Sequence, residues 1–387
     1  MSSDRLVIRD FAQIRKARIQ FRDLTVLVGS QGTGKSLVLQ WLKVAIDGKY
    51  IVQMLRDAGQ DVTQKTVIDQ IFGRGMRSAW RETTEINFDG ADLSPATIEK
   101  CGDGVERLFF IPAHRSMLIS DGWATSFQKL TSETPVVARL FSQNLLDRFN
   151  AREGARLFPL DRLLKKVYRE LINDAVFHGG TVGVRETEQQ TKRLRLRFKG
   201  EQKMSLPFMT WTAGQREFTP LLLGLYHLLP QRKQTKDDRI DWIVIEEPEM
   251  GLHPEAVTVV MLLVLELLWR GYRVVLSTHS PVVVTAVWAL QRLAATQASH
   301  QLVCDAFSVP AKYRVSLRSV ATEALQKKFA TYVMKYKRGQ ATAIDISSLD
   351  PGAEDDAVSG WGGLAGFSSR FGESVRKAVN SAPGRAA

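Results

Sequence analysis

The chain of 387 residues contains little cysteine and no apolar stretch long enough to cross a bilayer. Its two cysteines, Cys101 and Cys304, are far apart and lack metal-ligand spacing, which argues against a disulfide framework and for a reducing compartment. The first residues lack the apolar run of a signal peptide. The longest apolar run, residues 256–269, is interrupted by Glu266, so it predicts a core helix and not a membrane span. We therefore expect a cytoplasmic protein that makes no membrane contact.

The clearest motif is a phosphate-binding loop with the pattern Gly, four free positions, Gly, Lys and Ser. Apolar residues 24–28 predict a strand before it, and residues 37–42 predict a helix after it, which is the context that the motif requires. In such a loop Lys35 reaches the β- and γ-phosphates and the Ser36 hydroxyl is a ligand of Mg²⁺. Backbone N–H groups surround the phosphates at the helix N-terminus. The predicted nucleotide-binding residues are Gly29, Ser30, Gln31, Gly32, Thr33, Gly34, Lys35 and Ser36.

Two further apolar strands end in polar residues. Residues 241–249 end in Glu-Glu-Pro-Glu, which is typical of a Walker B strand, where the first carboxylate holds Mg²⁺ and the second polarises the attacking water. We assign these roles to Glu246 and Glu247. The strand at residues 274–278 is followed by His279, a candidate γ-phosphate contact, because ligands bind at the carboxyl edge of an open α/β sheet. The predicted catalytic residues are thus Lys35, Glu247 and His279, and the predicted Mg²⁺ ligands are Ser36 and Glu246.

The order of these motifs resembles the stand-alone, soluble ABC-type AAA ATPases related to RecF, SMC proteins and the OLD family. The resemblance covers residues 6–290. Residues 212–215, Thr-Ala-Gly-Gln, look like the signature motif with Thr in place of the usual Ser, and Glu246 replaces the more usual Asp. The family's Q-loop glutamine is missing after the strand that ends at Ile111, where His114 or Arg115 could substitute.

The resemblance implies ATP and Mg²⁺ as cofactors, ATP hydrolysis, and a head-to-tail homodimer or a higher homo-oligomer joined through the ATP sites. Thr212, Gly214 and Gln215 of one subunit would close over the ATP held by the P-loop of the other, and hydrolysis would release the dimer. The implied fold is α/β, a P-loop ABC-type ATPase head with a mixed sheet, an antiparallel β subdomain and a helical insertion between lobes.

Four segments are expected along the chain. Residues 1–113 form an N-terminal ATPase lobe with the P-loop, and residues 114–185 a helical insertion with helices at 136–149 and 160–172. Residues 186–346 form a C-terminal lobe with the signature, Walker B and His switch, and residues 347–387 a Gly/Ser-rich tail. Alternation at residues 194–198 and a return at 204–208 predict a hairpin.

The net charge of +12 leaves the partner open. Basic clusters at residues 74–81, 162–169, 192–199 and 327–338 are compatible with DNA binding or with solvated faces. One function class is a RecF- or SMC-like DNA repair ATPase. Another is an ATPase of a bacterial anti-phage defence system that acts with a separately encoded nuclease or toxin. A transporter subunit is disfavoured, because the signature is atypical and the Glu-Glu-Pro-Glu pattern resembles the soluble branch.

Overall fold

The computed structural model describes residues 4–150, 156–160, 163–186, 191–199, 204–229, 236–364 and 366–381. The strands are β1 (Arg5–Phe11), β2 (Ile14–Gln20), β3 (Leu24–Val28), β4 (Glu85–Phe88), β5 (Ala91–Asp92), β6 (Leu108–Ile111), β7 (Ile119–Ser120), β8 (Trp123–Ala124), β9 (Arg156–Phe158), β10 (Thr181–Glu186), β11 (Lys192–Phe198), β12 (Met204–Pro207), β13 (Trp242–Glu246), β14 (Arg273–Thr278), β15 (Phe329–Lys337) and β16 (Gln340–Asp345). The α-helices are α1 (Lys35–Asp57), α2 (Val67–Phe72), α3 (Val136–Asn150), α4 (Lys166–Ile172), α5 (Ala213–Leu228), α6 (Pro254–Trp269), α7 (Pro281–Ala295), α8 (His300–Ala306), α9 (Arg314–Ala324), α10 (Asp356–Ser359) and α11 (Gly366–Ser381).

A large mixed sheet organises the molecule, with strand order β5-β4-β1-β2-β16-β15-β3-β14-β13-β6. Strands β15, β3, β14, β13 and β6 run parallel, while β1 pairs antiparallel with β2 and β4. The carboxyl ends of β3, β13 and β14 therefore meet at one edge of the sheet, which is where parallel strands gather ligands. The predicted α/β fold class with a mixed sheet is confirmed.

A separate antiparallel sheet has the order β12-β11-β10-β9. Its pairing of Leu196 with Leu206 confirms the predicted hairpin, whose connecting residues 200–203 lie outside the described part of the chain. Leu194 and Leu196 are buried while the residues between them are half-buried, as expected of a strand with one face on the core.

The core lies on both faces of the mixed sheet. One layer packs α1 against β1 and β2, where Phe11 contacts Trp41 edge to face at a ring separation of 5.2 Å. The other layer contains α3, α5, α6 and α7. The apolar run at residues 256–269 lies in α6, which is buried along most of its length, so the predicted core helix is confirmed. No helix in the described ranges is long and apolar enough to cross a membrane.

Several local expectations differ from the structure. The helix expected at residues 160–172 begins only at Lys166, and the helix expected after the P-loop continues past residue 42 and stops at Asp57. It resumes as the short α2, which ends at Gly73 with a φ of 112°, a conformation that suits glycine. Residues 114–185 hold short strands as well as helices. The segment boundaries themselves stay a prediction.

The segment after residue 290 supplies two strands of the mixed sheet, which the sequence did not indicate. Strand β15 pairs directly with β3, the strand that precedes the P-loop, and β16 joins β15 to β2. The Gly/Ser-rich segment expected at residues 347–387 includes α10 and α11. Trp361 holds this segment on the core, because its ring lies 5.9 Å from that of Trp288 and its indole N–H donates to the Leu349 carbonyl.

Candidate nucleotide-binding site

The P-loop connects the end of β3 at Val28 to the start of α1 at Lys35. Two of its glycines are required by the backbone. Gly29 has a φ of 138°, and a Cβ there would lie 2.5 Å from the Met334 carbonyl oxygen. Gly34 has a φ of 89°, and its Cβ would lie 2.8 Å from the Ile14 side chain. The loop therefore packs closely against β15 and the start of β2. The N-terminus of the long helix α1 faces the space where phosphates bind.

Lys35 is the first residue of α1 and lines the cleft that the loop forms. Its ammonium group donates hydrogen bonds to the carbonyl oxygens of Gly29 at 2.8 Å and Ser30 at 3.0 Å. Burial lowers the pKa of Lys35 to about 8, although the charges of Glu247, Glu249 and Glu246 oppose that change. A desolvated ammonium group that is held by two backbone carbonyls is suited to bind an incoming polyphosphate.

The two predicted Mg²⁺ ligands lie side by side. Glu246 is buried at the end of β13, where desolvation raises the pKa of its carboxyl group, and hydrogen bonds from the Ser36 hydroxyl and the Ala113 N–H oppose that rise. No group of three or more His, Cys, Asp or Glu in the described part of the chain could hold a metal ion. One hydroxyl and one carboxylate in contact fit Mg²⁺ bound with a nucleotide, because Mg²⁺ takes its other ligands from water and phosphate.

Glu247 and His279 face each other across the end of the sheet. His279 Nε2 lies 3.2 Å from Glu247 Oε1 and 3.1 Å from Lys35 Nζ. Glu247 has a φ of 42°, the left-handed conformation that is uncommon for a residue with a side chain, and its N–H donates to the Ser277 carbonyl at 2.9 Å. The imidazole therefore lies between a carboxylate and an ammonium group.

Glu249 is a residue that the sequence-based assignment left out of the site. Its Oε1 accepts hydrogen bonds from the Thr278 hydroxyl at 2.7 Å and from the His279 N–H at 2.6 Å. It thereby ties the loop after β13 to the end of β14. The sequence feature that could have indicated this role is that Glu249 is the third acidic residue of Glu-Glu-Pro-Glu.

These groups surround an open cleft of about 180 Å³. Its lining residues are Gln13, Gln31, Gly32, Thr33, Gly34, Lys35, Ser36, Leu37, Glu247 and His279. Gln13 was not predicted. It belongs to the β1–β2 turn, and its side-chain amide donates to the Gly32 carbonyl at 2.9 Å.

The signature-like residues do not line this cleft. Thr212 caps α5 and forms a capping box with Gln215, whose amide also donates to the Val176 carbonyl at 3.1 Å. A Cβ at Gly214 would lie 2.9 Å from the Gly251 carbonyl oxygen, so the first turn of α5 packs closely on the loop that follows β13. Thr212 and Ala213 are exposed, at the N-terminal end of a 16-residue helix.

His114 and Arg115, the two candidates for the Q-loop position, behave differently. His114 has a φ of 50° and ends the turn after β6. Arg115 is fully buried and donates hydrogen bonds only to carbonyl oxygens, among them those of Glu246 and Glu247. Arg115 therefore lies behind the predicted catalytic carboxylate and not in the cleft.

The predicted basic clusters are partly engaged within the molecule. Arg193 pairs with Asp121 at 2.9 Å, Lys165 pairs with buried Glu266 at 2.7 Å, and Arg162 lies outside the described residues.

A more exposed basic surface lies on one face of the part of the mixed sheet that β1, β2, β16 and β15 form. Arg9 is directly opposite Lys16, Lys16 is opposite Thr342, and Thr342 is opposite Lys335, across β1, β2, β16 and β15. Arg18 lies two residues further along the same face of β2. All four basic side chains are exposed. Arg9 also pairs with Glu85 of β4 at 2.8 Å, so this face carries an acidic side chain among its cations but keeps an excess of positive charge that is suited to an anionic partner.

Comparison with known proteins gives one family match. The family described as “AAA domain, putative AbiEii toxin, Type IV TA system” matches residues 24–285, more than half of the chain. No curated protein matches the chain.

Solved structures with a similar chain trace include several SMC heads. An SMC head bound to the C-terminal winged-helix domain of ScpA is 12% identical, with 89% of this chain and 97% of that chain covered and a TM-score of 0.42. The SMC head domain from Thermotoga maritima is 12% identical, with 89% and 99% covered and a TM-score of 0.37. The SMC head with an extended coiled coil bound to the C-terminal domain of ScpA from Pyrococcus furiosus is 10% identical, with 96% and 99% covered and a TM-score of 0.40.

Proposed function

The chain belongs to the family described as “AAA domain, putative AbiEii toxin, Type IV TA system”, and from that premise we propose that it is an ATPase which binds Mg²⁺-ATP in the P-loop cleft and hydrolyses it. The observation that carries the proposal is the meeting of Lys35, Glu247 and His279 at distances of 3.1 and 3.2 Å, beside the buried carboxylate of Glu246 at the end of β13.

Each residue has a role that its position permits. The loop N–H groups and Lys35 bind the phosphates, and Ser36 and Glu246 would hold Mg²⁺. Bound Mg²⁺ would neutralise charge on the β- and γ-phosphates. Glu247 orients the attacking water and accepts its proton, and His279 contacts the γ-phosphate. Glu249 keeps His279 in place through the His279 N–H.

Glu247→Gln tests this assignment. The amide fills the same space but cannot accept a proton, so phosphate release should fall about 100- to 10,000-fold while ATP affinity stays near that of the wild type. Glu82→Gln removes an exposed carboxylate outside the cleft and is the matched control. Turnover at the wild-type rate in Glu247→Gln would reject Glu247 as the base.

We further propose that ATP closes two copies head to tail. The cleft of about 180 Å³ is smaller than the ~300–1,000 Å³ typical of ligand pockets, as expected if a second surface completes it. Thr212, Gly214 and Gln215 lie outside the cleft of their own chain, and the exposed N-terminus of α5 favours an anion. These observations support a site shared between a P-loop and the α5 N-terminus of a second copy.

Ala213→Asp tests the shared site better than a change at Gly214. Ala213 is exposed, and an acidic residue in the first turn is compatible with the helix, whereas a side chain at Gly214 would meet the Gly251 carbonyl. The added carboxylate should repel a γ-phosphate presented by the second copy. Ala213→Asp and Lys35→Met should each be inactive alone, and their exchanged mixture should recover about one working site per heterodimer. A mixture that exchanges subunits and stays inactive would indicate a site built within one chain.

We propose that dimer closure controls a separately encoded effector, a nuclease or toxin, in a defence complex. The family description, which names a putative toxin of a type IV toxin–antitoxin system, supports a place in such a system, and the separate effector is part of the proposal. Growth of cells that express the chain together with the product of the adjacent gene is the test. Wild type and Glu247→Gln should differ in growth arrest, and identical growth would contradict ATP control of an effector.

A RecF- or SMC-like DNA repair ATPase is the second candidate, and the exposed basic face favours it. If Arg9, Lys16, Arg18 and Lys335 contact a duplex backbone, log K should fall with log salt by about 0.9 for each phosphate neutralised. Glu substitutions at Lys16 and Arg18 should flatten that slope without changing ATP affinity. Absence of DNA binding at low salt would leave the effector hypothesis as the better explanation.

A further inference from the structure

Arg115 is a buried cation for which the proposed mechanism has no direct use. It directly follows His114 at the end of the turn after β6 and is fully buried. Its guanidinium group donates to the carbonyl oxygens of Pro112 at 3.2 Å, Glu246 at 2.8 Å and Glu247 at 3.2 Å. No carboxylate among the described residues forms an ion pair with it within 4.0 Å. A buried charge that bonds only to backbone fixes backbone geometry.

The Glu246 and Glu247 carbonyls belong to the two peptide groups on either side of the Glu247 Cα. One planar fork therefore holds both, at the residue whose φ is 42°. A left-handed conformation is strained for a residue with a side chain and persists only where its surroundings enforce it. We infer that Arg115 is a positioning residue that holds Glu247 in the conformation which aims its carboxylate at the cleft.

The same side chain also reaches the signature-like helix. Its Nε donates to the Glu217 carbonyl in α5 at 3.4 Å, and the neighbouring Ser116 hydroxyl bonds to the Glu217 carboxylate. Arg115 thus joins the first turns of α5 to the backbone of Glu247. If α5 moves when a triphosphate binds, the Arg115 guanidinium group would transmit that movement to the backbone of Glu247 and so to its carboxylate. The inference rests on the proposed ATPase function.

Arg115→Lys is the test. Lysine keeps the charge but cannot hold two carbonyls in one plane. ATP affinity should stay within about threefold of the wild type, because the change lies outside the cleft, and kcat should fall about 100-fold, the typical loss for a misplaced catalytic group. Arg139→Lys is the matched control, since Arg139 is also buried but packs on the Phe127 ring at 4.2 Å, away from the site. Thermal melting of both variants measures any shared loss of stability.

A double variant separates positioning from general stability. If Arg115 acts through Glu247, adding Arg115→Lys to Glu247→Gln should lower the residual single-turnover rate by less than about threefold. A multiplicative loss, or a kcat of Arg115→Lys equal to that of Arg139→Lys, would overturn the inference. If wild type neither binds nor hydrolyses ATP, the proposed function fails instead.

Ser116→Ala provides a milder variant if Arg115→Lys does not fold. It removes only the hydroxyl contact to Glu217 and leaves the buried charge in place. We expect kcat to fall about threefold with unchanged ATP affinity. A wild-type kcat in Ser116→Ala would reject the connection between α5 and Glu247.

Discussion

Replacing Lys35 with methionine removes the ammonium group from the cleft and keeps the length of the side chain. In the structure this group donates to carbonyl oxygens at 2.8 and 3.0 Å, and Lys35 lines the cleft in which the phosphates would bind. A hydrogen bond to a charged group contributes about 1.5–3 kcal/mol, so losing one or two phosphate contacts should cost about 1.5–6 kcal/mol of binding free energy. That loss weakens ATP binding by at least about 10-fold.

Isothermal titration with a non-hydrolysable ATP analogue and Mg²⁺ measures this change. Lys49→Met is the control, because Lys49 lies on the same helix and is exposed. The nucleotide-free Lys35→Met protein should stay folded, since the change removes a desolvated charge and little packing. An analogue affinity within threefold of the wild type, in a folded protein, would refute the P-loop assignment.

Three other perturbations have defined outcomes. The pKa of Lys35 in the empty cleft is about 8, and bound phosphate favours its charged form. In titrations at pH 7 to 9.5, ATP affinity should therefore be constant below pH 8 and fall about tenfold per pH unit above it. Lys35→Met should abolish this pH dependence. Gly29→Ala places a Cβ 2.5 Å from the Met334 carbonyl oxygen at a φ of 138°, and urea denaturation should show a loss of unfolding free energy of at least about 2 kcal/mol. Lys43→Met leaves the buried carboxylate of Asp47 without its partner at 2.7 Å and should cost about 3–5 kcal/mol by the same assay, with ATP affinity unchanged while the protein is folded.

Motifs whose chemistry is local could be predicted from the sequence. The P-loop pattern contains its own glycines and cation, and an apolar strand before it sets its place at the sheet edge. The structure accordingly brings Lys35, Ser36, Glu246, Glu247 and His279 together. Their catalytic and ligand roles stay predictions.

Contacts between distant segments could not be predicted in this way. The Tyr332 hydroxyl accepts from the Gln20 N–H at 3.0 Å across 312 positions of sequence, and nothing in the local pattern of β15 indicates that it pairs with β3. Gln13 enters the site region only through such a contact, and its neighbours in sequence carry no motif. Arg115 is a sequence candidate because of its place after β6, but its hydrogen bonds to the Glu246 and Glu247 carbonyls depend on the pairing of β6 with β13.

The signature-like segment shows a different limit. Thr212 and Gln215 are expected to close over the ATP of a second subunit, and the structure shows them in a capping box at the start of α5. The same hydroxyl and helix N-terminus would serve in both roles. The contact with a γ-phosphate involves a second copy, so the mixing experiment with Ala213→Asp and Lys35→Met is what tests it.

The nucleotide that stays bound after incubation with Mg²⁺-ATP tests the central claim most directly. Wild type should retain ADP and release phosphate, Glu247→Gln should retain intact ATP, and Lys35→Met should retain neither. ATP that stays intact on the wild type, or ADP formed equally by wild type and Glu247→Gln, would contradict ATP hydrolysis by this site.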